Sequence, residues 1–183
     1  MFHQVNGAPF QFCWGNQNGD NNLMKDTYLI YSSYNPGAND KENTAVICAR
    51  NAPEAITENN TWDGIHIDNG CHKLLGLNAQ NEAASIFRNF LIKNVELNTG
   101  NADSPQDGGS YLRDGNEINF QNIAFENLTI NGDRITGENS GSDIDDDGKV
   151  WFIEGGSHAS FTQSDSVPQT PNASIIPSQV PQQ

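Results

Sequence analysis

The sequence predicts an all-β fold, a parallel β-solenoid, and three observations carry that prediction. One template recurs four times: Asn, two variable residues, a large apolar residue, a charge, an Asp, Asn or Gly, and then a near-alternating apolar run. The copies begin at Asn21, Asn59, Asn89 and Asn122, spaced 38, 30 and 33 residues apart, and a period in that range marks a repeat architecture. Within each copy the apolar residues alternate as in strands, and Asn and Gly stud the run. Finally, only 35% of residues are hydrophobic and the mean hydropathy is -0.62, low for a compact globule. Stacked rungs tolerate this, because each buries only its inward half and exposes polar loops.

The template columns read chemically. Met24, Trp62, Ile92 and Phe125 form one apolar column, and Leu29, Ile67, Leu97 and Ile130 a second. Parallel strands stacked about 4.8 Å apart pile each column into an apolar stripe inside the coil. Lys25, Asp63, Lys93 and Glu126 alternate in sign from rung to rung, as an outward ladder should, since like charges side by side are disfavoured. Asp26, Gly64, Asn94 and Asn127 all tolerate left-handed or bent backbone, which suits a corner between strands. The Asn21, Asn59, Asn89 and Asn122 amides can stack into a hydrogen-bonded ladder.

In chain order, Phe10 to Trp14 is a strand that closes in a Gly/Asn-rich turn, and the first template copy then runs to Tyr31. After the loop around Pro36 and Gly37, Ala45 to Ala49 is the second strand of that rung, with Lys73 to Leu77 and the region around Tyr111 and Leu112 as its counterparts. Gln80 to Arg88 reads as loop. Val150 to Ile153 is the last apolar strand, and Ser160-Phe161 a short trailing one. The solenoid domain spans 1–161. Over 162–183 the Ser, Gln and Pro content leaves little to bury and predicts a disordered tail or linker. Met1 to Val5 has neither the basic start nor the apolar core of a signal peptide. It reads as a strand already under way, so the expectation is a chain that begins inside a larger solenoid. Its first rung then needs missing rungs or self-association to cover it.

Composition narrows the partners. A net charge of -14, with 9 Lys+Arg against 23 Asp+Glu, argues against nucleic acid or an anionic membrane, both of which need basic patches. No stretch approaches the roughly 18 apolar residues of a membrane span. The charge is compatible with neutral glycans and divalent cations. Cys13, Cys48 and Cys71 form no disulfide framework, and Cys71-His72 near His66 lacks evident further metal ligands. The sequons at Asn59 and Asn127 fall on template positions, where structure explains them better than glycan attachment.

Two groups of residues are candidates for chemistry. Asp143, Asp145 and Asp147, the Lys149 backbone carbonyl and Glu154 have the oxygen spacing of a calcium loop, with Gly148 at its sixth position. Neither flank reads as a helix, so the stretch is either a Ca2+ site or a solvated acidic loop. Among the tryptophans, flat faces that could pack on a sugar, Trp62 and Trp151 read as core. Trp14 opens a polar loop and reads equally as core or as platform. Arg50, at a strand end, is either a surface cation or a donor to sugar hydroxyls. Asp20, Asp26, Asp63 and Asp68 are candidates by residue type for a hydrolytic carboxylate pair, with structural explanations standing beside Asp26 and Asp63.

Gly7-Ala8-Pro9-Phe10-Gln11-Phe12-Cys13-Trp14, the run Asn22 to Tyr31, and the run Phe120 to Thr136 together resemble the C-terminal rungs of right-handed parallel β-helix polysaccharide-degrading enzymes. The closest resemblance is to glycoside hydrolase family 49, the dextranase and isopullulanase group, and it covers roughly 1–160. It implies a right-handed, single-stranded, pectate-lyase-like β-helix of about 4–6 rungs. It also implies an α-glucan-type polysaccharide partner and an extracellular or cell-surface location. In that family the catalytic aspartates lie on rungs before the segment that matches 9–14, so no residue here inherits a catalytic role. The expectation is a distal part of such an enzyme or a glycan-binding remnant, with Trp14, Asp20 and Arg50 as sugar contacts. A non-catalytic structural or adhesion solenoid stiffened by calcium is the alternative.

Overall fold

The computed structural model of the chain describes residues 2–6, 10–15, 19–33, 45–51, 54–68, 73–79, 85–98, 110–141 and 148–164. The strands are β1 (Phe2–Asn6), β2 (Phe10–Gly15), β3 (Leu23–Ser33), β4 (Ala45–Asn51), β5 (Ile56–Asp68), β6 (Lys73–Asn78) and β7 (Ile86–Asn98). They continue as β8 (Ser110–Arg113), β9 (Phe120–Ile130), β10 (Asp133–Arg134), β11 (Ser140–Gly141), β12 (Trp151–Glu154) and β13 (Ala159–Thr162). One 3-10 turn, Gly156–His158, precedes β13, and the described residues contain no α-helix. The stretch 80–88, expected as loop, is strand from Ile86 onward, while 80–84 lies outside the described residues.

From β1 to β9 the chain alternates between two sheets. The first has the order β1-β3-β5-β7-β9-β10, with β13 also on β9, and the second β11-β12-β8-β6-β4-β2. Apart from the antiparallel β10–β9 hairpin, these pairings are parallel. The fold is therefore all-β and built from parallel sheets.

The registers match the template. Met24, Trp62, Ile92 and Phe125 are successive partners across β3, β5, β7 and β9, and so are Leu29, Ile67, Leu97 and Ile130. Within β5 the buried positions are Thr57, Asn60, Trp62, Ile65 and Ile67, so the alternation skips a step twice. Each skip contains a residue in the left-handed region, Asn59 at φ 57° and Gly64 at φ 72°. A left-handed residue turns the chain and shifts the inside-outside phase by one. β7 repeats the pattern with Asn89 and Asn94, and β9 with Asn122 and Asn127. The corner expected at Asp26, Gly64, Asn94 and Asn127 is present, and the ladder asparagines form a second corner.

Both sheets contribute to one apolar core. Val46, Leu75, Leu77 and Ile153 from the second sheet belong to the same buried cluster as Ile65, Ile92 and Leu128 from the first. Trp62 and Trp151 lie in it, as expected. Gly76 is required on β6 because a Cβ there would sit 2.7 Å from the Tyr111 ring and 3.1 Å from the Ala45 side chain.

Toward β13 the first sheet departs from its regular strand pairing. Parallel β13 covers Ile123 to Glu126 of β9, and antiparallel β10 covers Thr129 and Ile130. In the second sheet β12 lies between β8 and the earlier strand β11, so β11 and not the last strand forms that edge. Phe161 stacks on Phe125 with ring centroids 5.1 Å apart, and Trp151 meets Phe125 edge-on at 5.4 Å. Contacts run past the expected boundary at 161. The Gln163 amide donates to the Leu128 and Ile135 carbonyls at 2.9 and 2.8 Å, and the Ser164 N–H donates to Asn127 Oδ1 at 2.7 Å. The rest of the expected tail, 165–183, lies outside the described residues.

Candidate functional site

Because the strands of the first sheet pair in register, outward residues also form columns, and three of these carry polar chemistry. The Asn ladder is made: Asn59 Nδ2 donates to Asn21 Oδ1 at 3.3 Å, Asn89 Nδ2 to Asn59 Oδ1 at 2.9 Å, and Asn122 Nδ2 to Asn89 Oδ1 at 3.1 Å. The charge ladder is made as well. Asp63 Oδ2 lies 3.9 Å from Lys25 Nζ and 3.4 Å from Lys93 Nζ. Its Oδ1 accepts from Asn94 Nδ2 at 2.8 Å, and Asn127 Nδ2 continues that corner to Asn94 Oδ1 at 3.0 Å. The amides of Asn59 and Asn127 thus join neighbouring strands, a structural role for these sequon positions as expected.

The third column holds the candidate site. Past the corner at Asp26, Gly64 and Asn94, Tyr28, His66 and Glu96 are register partners on β3, β5 and β7, and Asp68 and Asn98 are partners two residues on. Their side chains form one continuous network. The Tyr28 hydroxyl donates to Asp68 Oδ2. His66 Nε2 lies 2.9 Å from Asp68 Oδ1, and His66 Nδ1 lies 2.9 Å from Glu96 Oε2. Asn98 Nδ2 donates to Glu96 Oε1 at 2.9 Å. Each ring nitrogen of His66 thus faces a carboxylate oxygen. The Tyr28 ring stacks on the His66 ring with centroids 4.2 Å apart. The hydrogen bond to Asp68, then desolvation and the charges of Asp68 and Glu96, push the Tyr28 hydroxyl up to about 12. The network is open to solvent: the Asp68 and Glu96 side chains are 36% and 39% exposed, against 13% for His66.

The expected contacts scatter by comparison. Trp14 and Arg50 are register neighbours on β2 and β4, in the second sheet. Asp20 precedes β3 in the first, where its Oδ1 accepts the Glu58 backbone N–H at 2.9 Å. Of the calcium-loop residues, Asp143, Asp145 and Asp147 lie outside the described residues, as do Cys71 and His72. Lys149 Nζ donates to the Glu138 carbonyl at 2.6 Å, and Arg113 Nη2 donates to Glu154 Oε2 at 2.7 Å. Arg113 also covers the Tyr111 ring, 4.5 Å from its centroid. The described residues assemble no oxygen shell for a metal.

Of the four candidate acids only Asp68 belongs to the network. Tyr28, His66, Glu96 and Asn98 were missed, although the signal existed: aligning the template copies puts Tyr28, His66 and Glu96 in one outward column. Comparison of the chain with protein-family models, curated proteins and solved structures gives no match.

Proposed function

We propose that this chain is the glycan-binding, distal part of a carbohydrate-active right-handed parallel β-helix, and that the Tyr28–Asp68–His66–Glu96–Asn98 network is its sugar-contacting face. The coil reading is supported by strands that alternate between two parallel sheets around one shared core. Right-handedness follows the strong preference of connections between parallel strands of one sheet. The observation that carries the functional reading is the network itself: two solvent-open carboxylates, an amide and a phenol spread over three consecutive strands. Carboxylates that accept from hydroxyl groups beside an aromatic ring are suited to orienting a sugar. A polysaccharide partner implies a role at the cell surface or outside the cell.

Hydrolysis is left to residues other than these. Asp68 and Glu96 are both engaged by the same imidazole, so neither stands free as the acid of a hydrolytic pair. Affinity electrophoresis in gels containing dextran or other polysaccharides tests the proposal. Retardation that is lost in Asp68→Asn supports it, and migration unchanged by every polysaccharide removes it. Incubation with dextran should release no reducing sugar; release would contradict the assignment of a purely binding role.

A further inference from the structure

The segment 156–164 is attached to the molecule differently from the strands before it. β3, β5, β7 and β9 are 11 to 13 residues long, whereas β13 pairs with β9 over four residues. Beyond that pairing, side chains hold it in place. Phe161 stacks on Phe125 and meets Trp151 edge-on at 6.1 Å, and His158 stacks on Phe120 at 5.9 Å. The Gln163 amide bridges the Leu128 and Ile135 carbonyls. The Ser164 N–H and hydroxyl both donate to Asn127 Oδ1, and Arg134 Nη2 donates to the Ser164 carbonyl at 2.9 Å. Ala159 and Phe161 are only partly buried against the core, and Ser160, Thr162 and Ser164 are exposed.

Two glycines connect this segment to β12. Gly155 lies at φ 74°, and Gly156 opens the 3-10 turn. A Cβ on Gly155 would run into the Leu112 carbonyl oxygen and sit 3.2 Å from the Leu112 Cβ, and one on Gly156 would lie 2.8 Å from Ile153 Cγ2. Glycine lets the chain fold back this closely, and it also leaves the connection free to take other courses.

A short strand held by surface hydrogen bonds and a ring stack, and joined through a glycine pair, is a unit that opens more easily than the body it covers. When it lifts, β9 keeps an unpaired edge from Ile123 to Glu126 and a bare Phe125 ring. Such an edge is a template for another strand. The strand that fits is already present in every molecule, since 159–164 of a second copy brings the same Phe161, Gln163 and Ser164 to the same partners. We infer that residues 156–164 form an exchangeable strap, and that the β9 edge of one molecule accepts the strap of a second copy in place of its own. Closed monomer and exchanged dimer share these contacts, so hinge conformation and concentration set the balance between them. Gly155 is the hinge, because its left-handed conformation against Leu112 belongs to the closed course of the chain.

Gel filtration with light scattering on the full chain, over a range of concentrations, tests the exchange. Gly155→Ala penalises the closed hinge through its positive φ and the Leu112 contact, so it should raise the dimer-to-monomer ratio about tenfold or more over the parent. Adding Phe161→Ala to that variant removes the ring that seats the strap and should return the chain to monomer. A folded Gly155→Ala chain no more dimeric than the parent overturns the inference. A dimer that survives Phe161→Ala does so as well, because it then forms through another surface. Amide hydrogen exchange on the parent chain decides the point even where Gly155→Ala does not fold. The hydrogen-bonded amides of the strap should exchange as a group, about a hundredfold or more faster than those of β5 and β7. Strap amides that exchange only with global unfolding would show that it never lifts, and would overturn the inference.

Discussion

Asn89, Asn94, Asn122 and Asn127 hold φ values of 56, 53, 54 and 54°, a region that costs an ordinary L-residue roughly 1–2 kcal/mol. Asn accepts it more readily because its short amide bonds locally, and here the same amides also join neighbouring strands. The two effects separate by substitution. Asn94→Ala should destabilise the fold by about 1–3 kcal/mol, from strain plus lost hydrogen bonds. Asn94→Gly should cost less, although it loses the same hydrogen bonds; urea denaturation of the two variants checks the order. Tyr28 gives a pH-dependent prediction. Its hydroxyl is held near 12, above the ordinary value of about 10, so the neutral form is favoured in the folded chain. That contribution is fully present below the unfolded value and is lost as pH rises through the folded one. Stability should therefore fall between about pH 10 and 12 more in the parent than in Tyr28→Phe, measured by denaturation at stepped pH.

At the scale of the element, the strand columns were legible in the sequence because side-chain identity repeats wherever backbone registers repeat. Trp62 and Ile92 share a column in the template and are partners in the sheet. The Asn21, Asn59, Asn89 and Asn122 column was legible as an amide ladder but not as a bend, since four asparagines satisfy both descriptions and only the skip from Thr57 to Asn60 distinguishes them. The side-chain network was harder to see. Tyr28, His66 and Glu96 share no residue type, and their relation is a hydrogen-bond pattern across strands that no linear motif encodes. The order β11-β12-β8 was illegible for a related reason, since strand order depends on where loops return the chain. Gly76 supplies an element-scale test. A methyl at that position would press on the Tyr111 ring at 2.7 Å. Gly76→Ala should therefore destabilise by about 1–3 kcal/mol, and Gly76→Ala with Tyr111→Leu should recover part of that loss; paired denaturation curves decide it.

For the whole molecule, low overall hydrophobicity and a continuous core are reconciled by geometry. Each pass through the two sheets adds a few inward side chains to one shared column, and the outward half stays polar. The same repetition builds the polar column, because pairing across three strands brings Tyr28, His66 and Glu96 side by side. The aromatic seal of Phe125, Trp151 and Phe161 ends that repetition at the C-terminal side.

All of this depends on equal template positions meeting across paired strands. Nuclear Overhauser contacts among Trp62, Ile92 and Phe125 measure it most directly. Ile92 methyl protons should show contacts to both the Trp62 indole and the Phe125 ring, while Trp62 and Phe125, two strand spacings or about 10 Å apart, should show none to each other. A direct Trp62–Phe125 contact, or an Ile92 that touches neither ring, would contradict the account.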